Sequence, residues 1–122
     1  MGFREVILPG AFDGVLEKPE TDVLCLMNHD DDRGVLARYR NGGGSLSLSI
    51  DEKGLLYRFD APNFELGNEL LEGLSRGDIT QSSFCFSVEE EQWEKREDGT
   101  LYRTIVKIAD LYDVSPVYKP AY

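Results

Sequence analysis

Gly77-Asp78-Ile79-Thr80-Gln81-Ser82-Ser83-Phe84-Cys85-Phe86 is where the hydrophobic pattern of this chain changes its period. Upstream of it, Leu66, Leu70, Leu71 and Leu74 recur at helical spacing, with Glu65, Glu69, Glu72 and Arg76 off that stripe. Pro62-Asn63 offers a start signal and Gly77 a stop, so the pattern predicts a helix from about Phe64 to Arg76 whose leucines face the core. Downstream the period falls to two. Phe84, Phe86 and Val88 share one face of a strand running from Ser82 to Glu90, and Ser83, Cys85 and Ser87 share the other. The bulky face anchors the strand, which leaves Ser83 held by a rigid element on the opposite side.

Strands dominate on either side of this junction. Val23-Leu24-Cys25-Leu26-Met27 is a compact apolar run of the kind buried on both faces, followed at once by Asn28-His29-Asp30-Asp31-Asp32. Gly34 to Arg38 reads as a strand. Leu46, Leu48 and Ile50 alternate with serines, and Leu55, Tyr57 and Phe59 alternate again after a turn at Lys53-Gly54. A hairpin turning at Asp98-Gly99 returns the chain into a strand from about Leu101, and a last strand covers Asp110 to Val114, ended by Pro116 and Pro120. Pro9-Gly10-Ala11-Phe12 opens a short segment with room for a two-turn helix. Many strands, few helices and no regular βαβ alternation predict an α+β, mainly-β fold, with a barrel as its closed form.

Composition bounds the rest. The chain has 122 residues, the size of a single domain spanning 1–122, and 41% of them are apolar, enough for one core. No apolar run approaches the length of a membrane span, and Met1-Gly2-Phe3-Arg4-Glu5 has no apolar signal region, so a soluble, intracellular protein is expected. Net charge is −10, with 13 basic residues scattered among 23 acidic ones. Nucleic acid and anionic membrane, which need clustered positive charge, are therefore not expected partners. Cys25 and Cys85 each sit in an apolar segment and are expected to be reduced. With no CxxC and one histidine there is no zinc set, and Asp30-Asp31-Asp32 lacks the alternate spacing of a calcium loop. No metal or cofactor is expected.

Nucleophilic chemistry remains. A serine hydroxyl needs a base, and His29 is the only histidine, so a Ser–His mechanism has one possible base, ordinarily oriented by a carboxylate. A solvated loop histidine, a polar aspartate loop and a serine on a wet strand face account for the same residues without chemistry. Spacing alone leaves a mainly-β domain with its function open.

Four blocks narrow this. Phe3-Arg4-Glu5-Val6-Ile7-Leu8-Pro9-Gly10-Ala11-Phe12, Asn28-His29-Asp30, Arg76-Gly77-Asp78-Ile79 with Ser83-Phe84-Cys85-Phe86, and Leu111-Tyr112-Asp113-Val114-Ser115-Pro116-Val117 with Pro120-Ala121-Tyr122 resemble, in order, motifs of the tailed-phage prohead (capsid maturation) proteases. The resemblance implies a fold like the herpesvirus assembly proteases, a β-barrel flanked by a few helices. It implies a serine endopeptidase that cleaves phage major capsid protein, scaffold and itself inside the assembling prohead in the bacterial host cytoplasm. In it Ser83 is the nucleophile and His29 the base. Asp113 is the third member by its place in the motif, where the family usually has Glu; Asp110, expected on the opposite face of the last strand, and Asp30 compete for that role. Gln81-Ser82 stands where Gly-Met is common, and Cys85 where glycine is common. The family's N-terminal strand region and C-terminal tail are expected to be missing, which would leave an open sheet edge and favour a homo-oligomer. The competing expectations are a catalytically inactive assembly or scaffold-like partner of the same fold, and an acidic β-barrel binding module.

Overall fold

The computed structural model of the chain describes residues 3–119, so Pro120, Ala121 and Tyr122, with the strand-ending role expected of Pro120, lie outside the described residues. The chain forms β1 (Phe3–Ile7), β2 (Asp22–Cys25), β3 (Ala37–Arg40), β4 (Gly43–Gly44), β5 (Ser47–Asp51), β6 (Gly54–Arg58), α1 (Glu65–Arg76), β7 (Gln81–Lys95) and β8 (Leu101–Val117). Mainly β with one α-helix is the composition the sequence predicts. Pro9–Phe12 makes only a four-residue 3-10 turn, too short for the expected two turns of helix.

β8 organises the sheet. Along one edge it pairs antiparallel with β7 from Gln81↔Val117 to Lys95↔Leu101. The other edge is shared, as β1 runs parallel to Leu101–Ile105 and β2 parallel at Asp113 and Val114. β3 then pairs with β2 and β4 with β3, both antiparallel, while β5 and β6 form a separate hairpin. The sheet is open, which corrects the expected barrel. Its outer strands β1 and β4 find no further partner among the described residues, and β7 branches from β8. The predicted break at Pro116 is also absent. Pro116 lies within β8 opposite Ser82, and its carbonyl accepts the Asn28 N–H at 3.0 Å. Register shifts between Cys85 and Glu91 mark β-bulges, which break the simple alternation and bend the ribbon.

The core lies against one face of this ribbon. Val23, Cys25, Met27, Leu46, Ile105, Ile108 and Val114 are fully buried, and Phe84, Phe86 and Val88 pack on them half-buried, as alternation predicts. Phe84 meets Phe12 at 5.7 Å and Phe86 at 5.1 Å between ring centroids. α1 departs from its sequence reading at its start and keeps to it at its end. Phe64 is its N-cap and supplies no side-chain bond, while Gly77 closes it in the left-handed conformation (φ 81°). Leu66 and Leu70 are buried, but Leu71 and Leu74 are 52% and 48% exposed, so only half the leucine stripe is core.

Gly67 shows how closely α1 is seated. A Cβ there would stand 1.9 Å from the Pro62 carbonyl oxygen. Alanine raises helix propensity by about 1 kcal/mol, but a backbone carbonyl cannot yield as a flexible side chain does. Gly67→Ala is expected to lose about 1–3 kcal/mol of stability through overpacking. Urea unfolding would show a lower midpoint at unchanged slope.

Candidate active site

β2 ends at Cys25, and the chain continues beside β8 through Leu26 N–H to Val114 O (3.0 Å) and Asn28 N–H to Pro116 O (3.0 Å). It then reverses, with Asp30 N–H bonding Met27 O at 3.1 Å. Asn28 and His29 occupy the centre of that turn with φ of 54° and 61°. Positive φ at both central residues is the signature of a type I′ turn, and Asn and His tolerate it better than most residues. The turn swings His29 back over β8, where Nδ1 lies 2.5 Å from Asp113 Oδ1. The two side chains are 35% and 15% exposed, so the pair is partly withdrawn from water.

Register places Ser83 relative to this pair. Ser83 lies opposite Ser115, and Cys85 opposite Asp113. Residues opposed in an antiparallel ladder share a face, with Cβ atoms about 4.5–5.5 Å apart. Ser83, Cys85, Asp113 and Ser115 therefore lie on one face, away from Phe84 and Val114 in the core, and the His29 ring contacts β8 on that same face. Ser82 is on the other side, where its hydroxyl meets the Tyr57 hydroxyl at 2.6 Å. The doubled serine thus divides its two hydroxyls between the two faces.

The rival carboxylates are otherwise engaged. Asp30 Oδ1 accepts the Asp32 N–H at 3.0 Å and caps the 3-10 turn Asp31–Arg33. Asp110 lies opposite Ser87, with Lys18 Nζ at 3.8 Å. The bulge at Tyr112, which skips one β8 residue between Leu111 and Asp113, returns Asp110 to the face of Asp113, so the expected opposition of the two aspartates does not hold. The carboxylates of Asp30, Asp31 and Asp32 do gather within 4.8 Å of one another, on an exposed turn.

Asp113 also acts on its neighbours. Burial first, and the Asp113 charge second, push the Cys25 thiol up to about 12, and the same two causes raise that of Cys85. The thiol that shares the face of Ser83, Cys85, is thereby made a weaker nucleophile. Sequence reasoning missed Ser115. It is fully buried, accepts the His29 backbone N–H at 3.1 Å, and lies 3.3 Å from both His29 Nδ1 and Asp113 Oδ1. A serine just before a proline near the end of a strand looks like surface, and only its place in the closing motif sets it apart.

The histidine–carboxylate pair thus lies on the same face of the β7–β8 ribbon as Ser83. The family model of the caudovirus prohead serine proteases covers residues 1–122. The chain belongs to that family. Neither a curated protein nor a solved structure matches it. Two further features of this prohead protease family member bear on the site. The outer edge of β7 makes no backbone ladder among the described residues, and Gln81–Val88 along it carries no charge, whereas Glu89, Glu90, Glu91 and Glu94 follow. Beside the start of β7 lies a groove of about 250 Å³ lined by Tyr57, Phe59, Leu70, Leu74, Ile79, Ser82 and Pro116. A larger hollow of about 710 Å³ is lined by Leu16–Pro19, Tyr39 and Leu48–Ile50 and by none of the candidate residues. Among the described residues no helix is long and apolar enough to cross a membrane.

Proposed function

We propose that this chain is a serine endopeptidase that cuts capsid and scaffold protein, and its own chain, inside the assembling prohead in the bacterial cytoplasm. The observation that carries the reading is the 2.5 Å approach of His29 Nδ1 to Asp113 on the face of Ser83. Ser83 Oγ attacks the scissile carbonyl carbon while His29 Nε2, the ring nitrogen that Asp113 leaves free, takes the hydroxyl proton. The C–N bond then breaks, and the departing amine takes that proton from Nε2. Water attacks the resulting ester with His29 again as base, releasing the new C-terminal acid and restoring the Ser83 hydroxyl. Asp113 stays ionised and stabilises the imidazolium formed in each half-reaction.

The substrate segment lies extended along the uncharged part of the β7 edge, whose outer N–H and C=O groups enter no ladder among the described residues and can receive a strand. The groove beside Ser82 takes one of its apolar side chains. Self-association would use another edge, the outer one of β1, where Val6 is 48% exposed. Light scattering is expected to give at least twice the mass of one chain, and a strict monomer would contradict that placement.

Reaction with a serine-directed phosphonate tests the function. A covalent adduct mapped to Ser83 by peptide mass spectrometry is expected, absent when His29 is replaced. A folded protein that takes no label at Ser83 would favour an inactive, scaffold-like assembly partner.

A further inference from the structure

We propose that Ser115 is a positioning residue that locks the His29–Asp113 pair in the one arrangement able to accept a proton from Ser83. The inference rests on the proteolytic reading above. Its starting point is a count of protons. A serine hydroxyl has one hydrogen to give and lone pairs to receive. At Ser115 a lone pair takes the His29 backbone N–H at 3.1 Å, leaving the hydroxyl proton two acceptors within 3.3 Å, Asp113 Oδ1 and the His29 Nδ1 lone pair.

Only one of these is consistent with the rest of the cluster. If the hydroxyl donated to Nδ1, that nitrogen would carry no proton, and it would face the Asp113 carboxylate at 2.5 Å acceptor against acceptor. With the proton on Nδ1 directed at Asp113, the Ser115 hydroxyl must donate to Asp113 instead. Every group is then satisfied, and Nε2 is left as a bare lone pair. The single hydroxyl thus ties the carboxylate to the backbone of the residue it orients. That tie matters because His29 is held at φ 61°, where an L-residue needs local support. Ser115 has no accessible surface, so water cannot take over the role of a deleted hydroxyl.

The chain's single histidine makes the test unambiguous, because any downfield imidazole N–H resonance in the proton NMR spectrum belongs to His29. Ser115→Ala is expected to lower kcat about a hundredfold, the scale of a small displacement of a catalytic group, with KM nearly unchanged. Its imidazole N–H signal is expected to move upfield or broaden into the baseline. Ser115→Cys keeps the shape and a weak donor, and is expected to recover part of both. A residue that merely filled space would lower thermal stability on truncation and move neither reading. Folded Ser115→Ala with unaltered kcat and an unaltered resonance would overturn the proposal. Should that variant not fold, Ser115→Cys decides by the same two readings. If the parent protein cleaves nothing, the proteolytic reading fails separately, while the resonance still reports whether Ser115 holds His29.

Discussion

Ser83→Ala is expected to abolish proteolysis, with kcat/KM for a capsid-derived substrate falling by at least about 10⁴-fold. The hydroxyl is the atom that forms the acyl–enzyme bond, and none of its neighbours can replace it. Ser82 is on the opposite face, bonded to Tyr57. Cys85 is on the same face, but desolvation first and the Asp113 charge second push its thiol pKa up, which disfavours the thiolate. Ser115 is fully buried and committed to His29 and Asp113. The substitution should leave the fold intact, since Ser83 faces away from the core formed by Phe84 and Val114. Steady-state cleavage of a fluorogenic peptide, with circular dichroism as control, makes the measurement. Residual activity within tenfold of the parent would remove Ser83 from the mechanism.

Asp113→Asn is expected to come close behind, at about 10⁴-fold in kcat, with binding little changed. Asparagine has nearly the same shape and keeps β8 in register with Leu24 and Cys85. What changes is the proton inventory. An amide NH₂ in place of an acceptor oxygen donates to Nδ1, which moves the ring proton to Nε2 and removes the base. The charge that stabilised the imidazolium is lost as well. Asp110→Asn, which alters a carboxylate 3.8 Å from Lys18, is expected to stay within a few-fold of the parent. Equal losses in the two variants, measured by single-turnover kinetics, would contradict the assignment of Asp113.

These expectations rest on contacts that were partly legible in the sequence. The division of Ser83 from Phe84 followed from a strict period of two, and the end of α1 from a glycine that adopts φ 81°. Leu46, Leu48 and Ile50 alternated as they do in the folded chain, with Leu46 fully buried. Other features have no local signature. β8 looks like two strands in the sequence because bulges around Val106, Ala109 and Tyr112 interrupt its alternation and Pro116 mimics a terminator. The parallel pairings of β1 and β2 with β8 join residues 89 or more positions apart, and nothing local specifies a parallel ladder. Barrel closure is a property of the whole strand set. The number of strands and the resemblance both suggest it, and the open ends at β1 and β4 overturn it. Leu71 and Leu74 carried the right period but stay about half exposed among the described residues, because periodicity gives the direction of a face and says nothing of its partner.

The candidate site divides the same way. His29 and Ser83 could be nominated from chemistry, since there was one histidine and a serine on a rigid face. That His29 meets Asp113, 84 positions away, came only from motif likeness before the turn at Asn28-His29 brought them together. Ser115 escaped notice because a buried hydroxyl is recognised by its partners, which a sequence does not display.

The central claim is that this face cuts capsid protein. The direct test incubates the protein with the major capsid precursor encoded in the same genome and weighs the products by intact-mass spectrometry, beside the Ser83→Ala variant. One or more defined cuts by the parent and none by the variant is the expected result. An uncut precursor, with protein that is folded and given the assembled prohead as substrate, would contradict the account.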